Sequence, residues 1–136
     1  MGCPFCEPDP SRIFHRGRLV LGLWDGFPVS PGHALLVPVR HAATWFDATP
    51  EEIEELVASV AIARDAVLAR FAGDPGSSGD GPGPPHGWNV GVNVGEAAGQ
   101  TVFHLHVHVI PRWRGDVPDP RGGVRGVIPS KRDYLG

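Results

Sequence analysis

The sequence predicts an α+β domain, and three observations carry that assignment. Short apolar segments of strand-like composition flank one longer amphipathic segment. That longer segment opens with a complete helix-start signal. Gly and Pro, 19 and 15 of the 136 residues, separate the segments from one another. A chain of this length suits a single domain over residues 1–136 with its own core. Hydrophobic residues at 41% and charged residues at 20% describe a globular chain rather than a disordered one. A net charge of -3 argues against a protein that coats nucleic acid.

Residues 18–25 (RLVLGLWD) read as a strand, 26–32 (GFPVSPG) as a turn and 33–39 (HALLVPV) as a second strand, an antiparallel hairpin-like pair. A helix follows. Thr49 caps it, Pro50 takes its first position and Glu52 completes a capping box. Glu51, Glu52, Glu54 and Glu55 favour the positive end of its dipole. Ile53, Leu56, Val57, Val60, Val67, Leu68 and Phe71 recur at helical spacing and predict one apolar face against a sheet. Residues 73–85 (GDPGSSGDGPGPP) predict a flexible loop within the domain. Residues 88–94 and 102–110 read as third and fourth strands, with Pro111 ending the last. From residue 112 the chain is irregular, and six of its twelve basic residues lie between Arg112 and Arg132. That basic tail serves either an anionic substrate or a solvated surface.

No apolar run reaches membrane-spanning length, so no membrane partner is expected. The start, MGCPFC, has neither the basic region nor the apolar stretch of a secretory signal, and Cys6 breaks a myristoylation pattern. The expected location is the cytoplasm, with reduced cysteines.

His104, His106 and His108 alternate with Leu105, Val107 and Val109, so on a strand the three imidazoles share one face. A structural strand would carry Val or Thr there, because a buried imidazole needs partners for both ring nitrogens. Three readings stand: histidines tolerated on a solvent face, a metal site, and nucleophilic catalysis. Same-face neighbours on a strand lie about 6–7 Å apart, which puts the outer pair roughly 13 Å apart, too far for one metal. The three histidines therefore hold different jobs.

The run His104-Leu105-His106-Val107-His108-Val109-Ile110 resembles the signature of the histidine triad (HIT) family. Residues 30–41 (SPGHALLVPVRH), the helix and residues 93–100 (NVGEAAGQ) are similar to that family too. The resemblance implies a HIT-like fold: a five-stranded, mostly antiparallel sheet with one long helix and short helices, assembled as a homodimer. It implies a nucleotide hydrolase or transferase in which His106 attacks the α-phosphate and water releases the nucleotidyl group. His108 and His33 then assist, and Gln100 and Thr101 bind phosphate oxygens and the leaving group. Asp25 bonds the ribose hydroxyls, while Phe27 and Asn93 contact the nucleotide. Gly95 and Gly99 would let backbone N–H groups approach the phosphate.

Cys3 and Cys6 form a lone C-x-x-C. A redox motif would need a strand before it and a helix after it, whereas here two residues precede it and Pro8 and Pro10 follow. The resemblance implies a structural Zn2+ held by Cys3, Cys6, His41 and His104, and no organic cofactor. The closing segment resembles bacterial diadenosine tetraphosphate hydrolases, with adenosine nucleotides as substrates and arginines on the distal phosphates. A phosphoramidate hydrolase and a nucleotide-binding adaptor are the competing readings.

Overall fold

The computed structural model describes residues 2–73 and 83–134, so residues 74–82 of the expected 73–85 loop lie outside the described residues. Strands β1 (Ile13–Arg16), β2 (Val20–Trp24), β3 (Ala34–Pro38), β4 (Gly87–Val92) and β5 (Val107–Arg112) form one sheet, with α1 (Pro50–Arg70) between β3 and β4 in the chain. The sheet order is β1-β2-β3-β5-β4, and every pairing is antiparallel. The expected α+β class and five-stranded sheet are what the chain adopts.

The hairpin forms where the turn residues place it. β2 pairs with β3 from Val20↔Pro38 to Trp24↔Ala34, and the Asp25 N–H donates to the His33 carbonyl at 2.9 Å. Every residue of β3 is buried, which explains its unbroken apolar run: both faces of this central strand are covered. On one face α1 brings Leu56, Ala63 and Val67, with Phe71 at its C-cap, against Ala34, Leu36, Leu105, Val107 and Val109. On the other, Phe5 from the N-terminal segment joins Leu23, Leu35 and Val37.

The capping box of α1 is present in both directions: Glu52 N–H donates to Thr49 Oγ1 at 3.1 Å, and Thr49 N–H donates to Glu52 Oε1 at 2.8 Å. The buried line is Glu52, Leu56, Ser59, Ala63 and Val67, whereas Val57 and Leu68, expected in the core, are exposed. Size decides this. Ser59 and Ala63 let the helix axis approach the sheet, and the Ser59 hydroxyl is satisfied by the Glu55 carbonyl at 2.6 Å. Burying Leu56 contributes roughly 1.5–3 kcal/mol, and Leu56→Ala would cost about 2–5 kcal/mol. Glu52 tolerates burial because Arg40 pairs with it at 2.8 Å.

Two boundaries differ from expectation. Pro111 lies inside β5, opposite Trp88, and pairing runs on to Arg112. Its carbonyl faces away from β4 and accepts from Ser30 Oγ at 2.8 Å; β3 has already ended opposite Val109, so no ladder partner needs an N–H at Pro111. Residues 102–106 precede the paired strand, tied by Leu105 N–H to the Ala42 carbonyl at 2.7 Å. β1 was absent from the pattern because four residues with a register shift carry no clean alternation.

Candidate active site

The site occupies the sheet face opposite α1. Val107 and Val109 enter the α1 core, so His108 turns to the other side. Leu105 is also in that core, and the His106 ring meets Phe5 on the opposite face at a centroid distance of 5.0 Å. The three histidines thus share a face but have three different environments.

His104 is fully buried. Its Nε2–H donates to the Pro38 carbonyl at 2.8 Å, which leaves Nδ1 as an unprotonated acceptor. Around that nitrogen stand Cys3 Sγ at 3.4 Å, Cys6 Sγ at 3.4 Å and His41 Nδ1 at 3.2 Å, with Cys6 Sγ 3.2 Å from His41 Nδ1. All four donor atoms lie within 4.8 Å of one another. A tetrahedral zinc with ordinary bond lengths would place its nitrogen and sulfur ligands roughly 3.3–3.6 Å apart, so the donor set fits that ion. The turn at residues 3–6 closes through Cys6 N–H to the Cys3 carbonyl at 3.2 Å, and His41 follows the Arg40–Glu52 pair at the start of α1.

His108 lies at the other end. Its Nδ1 is 2.9 Å from His33 Nε2, which is also 3.4 Å from Asp25 Oδ2. The Val29 N–H donates to His33 Nδ1 at 3.2 Å, so the proton of neutral His33 sits on Nε2 and donates to His108. The proton of His108 is then on its own Nε2. Burial lowers the pKa of His33, and burial together with the neighbouring His106 and His33 lowers that of His108 to about 4. Both rings are neutral donors at neutral pH.

Between them stands His106. The His104 carbonyl accepts from its Nδ1–H at 2.9 Å, and among the described residues Nε2 has no hydrogen-bond partner. An imidazole whose proton is fixed on one nitrogen presents the lone pair of the other to whatever enters the site.

The remaining expected residues divide. Asp25 stands beside His33 and closes the turn by accepting from Phe27 N–H at 2.7 Å; the Phe27 side chain is exposed. Asn93 borders the groove containing His33 and His108, whereas Thr101 is exposed. Gly95 and Gly99 have φ of 89° and 95°, backbone that favours glycine, but the Gly95 N–H donates to Gln100 Oε1 and the Gly99 N–H to the Glu96 carbonyl, both at 2.9 Å, so these two N–H groups are engaged within the loop. Gln100 departs from its expected role. It is buried, its Nε2 donates to the carbonyls of Ala43 (2.7 Å) and Val102 (3.0 Å), and its Oε1 accepts from Gly95 N–H at 2.9 Å. With its amide fully engaged, Gln100 fastens the loop and offers no donor to a phosphate.

Three of the tail arginines are engaged too. Arg112 holds Asp116 at 2.7 Å and Asn89 Oδ1 at 2.6 Å, Arg121 pairs with Asp119 at 3.0 Å, and Arg125 donates to the Lys131 carbonyl at 2.9 Å. These three fold the tail onto itself. Phe5, the Pro38 carbonyl and the Val29 N–H are contributors absent from the expected set. Backbone groups carry no sequence signal; Phe5 was signalled only by standing between the two cysteines.

The HIT domain family model matches residues 7–115. The chain belongs to the HIT family. It is 35% identical over 116 residues to an AP-4-A phosphorylase of Mycobacterium tuberculosis, covering 83% of this chain and 52% of that protein. It is 33% identical over 109 residues to an asymmetrical bis(5'-nucleosyl)-tetraphosphatase of Schizosaccharomyces pombe, covering 80% and 53%. The chain therefore spans about half the length of these two relatives. A HIT family protein from Bacillus subtilis has the same fold, with a TM-score of 0.68 and 30% identity over 85% of this chain and 77% of that one.

Proposed function

We propose that this chain is a nucleotide hydrolase or transferase in which His106 Nε2 attacks the α-phosphorus of a dinucleoside polyphosphate. The observation that carries the reading is the 2.9 Å contact between His106 Nδ1 and the His104 carbonyl, which holds the proton away from the attacking nitrogen. In the first step the Nε2 lone pair forms a P–N bond. The bridging P–O bond breaks, and its electron pair leaves with the departing nucleoside polyphosphate. The imidazole keeps its Nδ1–H and becomes cationic, with the His104 carbonyl accepting from that proton. In the second step a water oxygen, which loses a proton to solvent, or an anionic oxygen of inorganic phosphate bonds to phosphorus, the P–N bond breaks and its electrons return to Nε2. Neutral His108, its Nε2–H fixed by His33, supplies a donor to the phosphoryl oxygens. The names of the Mycobacterium tuberculosis and Schizosaccharomyces pombe relatives support this substrate class.

Cys3, Cys6, His41 and His104 hold a structural Zn2+ in this reading. The ion supplies no chemistry to the reaction; its role is to tie residues 3–6 to the sheet. Its thiolates suit the reducing cytoplasm, and among the described residues no helix is long and apolar enough to cross a membrane. The homodimer forms through the β4 edge and the neighbouring α1 surface, where Trp45, Val57, Val60 and Val90 line an apolar hollow. Val57→Asp yields a folded monomer in sedimentation measurements; a dimer unaffected by that change contradicts this interface.

Product analysis tests the reaction. Diadenosine tetraphosphate and adenosine 5'-phosphoramidate are incubated with the chain, with and without inorganic phosphate. AMP is expected in water and ADP in phosphate. His106→Ala lowers turnover by a factor on the order of 10³ or more while the fold persists. Undiminished turnover by His106→Ala would contradict the reading.

A further inference from the structure

We infer that the groove between β4 and the C-terminal tail is a second nucleoside subsite, which takes the uncharged planar base of the leaving group; this rests on the reaction proposed above. The groove measures about 580 Å³, and His33 and His108 form part of its wall. It is therefore continuous with the proposed reaction centre: the His106 and His108 rings are 5.1 Å apart.

Register explains the space. Gly91 stands opposite His108 and Asn89 opposite Ile110. On β4 the residues that share a face with the histidines are thus Asn89, Gly91 and, by continuation, Asn93. A Cβ added at Gly91 meets nothing within 4 Å, so the missing side chain leaves open volume in front of His108. Ile110 lies about 6–7 Å beyond His108 on the same face, so the groove runs away from His106 in the direction a polyphosphate chain would extend.

The tail supplies the far wall. The turn Gly123–Val127 folds over β4 and places Val124 and Val127 on the groove. The side chains facing the space are therefore aliphatic, apart from His33, His108, Asn89 and Asn93. Asn89 uses its carbonyl oxygen for Arg112, which leaves its amide group to donate to a heterocycle edge. Among the described residues no arginine or lysine lines the groove. Aliphatic walls with two carboxamides suit a stacked, uncharged heterocycle and do not suit a terminal phosphate. When the P–O bond at the α-phosphorus breaks, the leaving polyphosphate keeps the bond's electron pair, and its distal nucleoside occupies this groove.

Gly91→Leu fills the groove from a position with room for the side chain, and Val127→Asp changes its polarity at an exposed residue. The readout is the ratio of kcat/KM on diadenosine tetraphosphate to that on adenosine 5'-phosphoramidate, whose leaving group is ammonia. Both variants lower the ratio about tenfold, the loss of roughly one good base contact. An unchanged ratio in both variants overturns the assignment. Calorimetric titration with adenosine gives an arm independent of turnover. The wild type binds two adenosines per chain and Gly91→Leu binds one. Equal stoichiometry in the two proteins overturns the subsite. A wild type that cleaves neither substrate refutes the proposed reaction and leaves the adenosine stoichiometry to decide the groove.

Discussion

The two ends of the histidine run look alike as lists of residues and differ in how their protons are arranged. At one end Cys3, Cys6, His41 and His104 converge within 4.8 Å; at the other Asp25, His33 and His108 do the same. His104 donates its Nε2–H to the Pro38 carbonyl, so an acceptor nitrogen faces two sulfurs and another ring nitrogen. That arrangement is what a cation would organise. In the second cluster the imidazole contacts are each filled by a proton: Val29 N–H to His33, then His33 Nε2–H to His108, with Asp25 Oδ2 3.4 Å from the same Nε2. That arrangement is a relay, and a relay needs no ion. Tracing hydrogen bonds to their donors separates a metal site from a proton relay where residue types alone do not.

The largest effect that would break this contrast falls on the first cluster. Cys3→Ser is expected to release zinc measured by elemental analysis of the purified chain and to lower the melting temperature by roughly 10 °C, as expected when a small domain loses about 2–3 kcal/mol. Wild type that is free of metal and as stable as the variant would remove the distinction. The relay responds differently. His33→Phe should leave metal content unchanged and lower kcat by about 10–100-fold, because His108 loses the donor that fixes its tautomer. Loss of zinc in His33→Phe would mean that the two clusters are not separate.

The smallest effect sharpens the relay by pH. His108 has a folded pKa of about 4 against an ordinary value of 6.5, and His33 is lowered in the same direction. Above 6.5 neither the folded nor the unfolded state binds these protons. As pH falls below 6.5 the unfolded state binds them first, so stability declines, and for His108 the decline ends at about 4, where the folded state binds its proton too. His108→Gln should flatten this part of the stability curve in chemical denaturation. A curve of the same slope with and without His108 would place the titration elsewhere.

Much of this was legible in the sequence. The capping box at Thr49 and Glu52, the 26–32 turn and the alternation around His106 depend on local chemistry, and local chemistry is what a sequence displays. Three features were not legible, each for a physical reason. The packed line of α1 follows the small residues Ser59 and Ala63, so hydrophobicity alone misplaced Val57 and Leu68. Gln100 has the chemistry of a phosphate donor, and only its burial against the Ala43 and Val102 carbonyls reveals it as a fastener. Arg112, Arg121 and Arg125 match a polyphosphate in charge, and Asp116, Asp119 and the Lys131 carbonyl engage them instead. For Gln100 the deciding partners are backbone carbonyls, whereas Asp116 and Asp119 lie four and two residues from the arginines they engage, and the folded tail alone shows that these pairs form.

The central claim is that His106, held by its neighbour's carbonyl, carries the nucleotidyl group. Rapid acid-free quenching of the chain with diadenosine tetraphosphate, followed by peptide mass spectrometry, tests it directly. The account predicts one adenylyl group on the peptide containing His106, absent in His106→Ala and in chain that has been left to turn over completely. An adenylyl group on another residue, or product release with no adduct at any quench time, would contradict it.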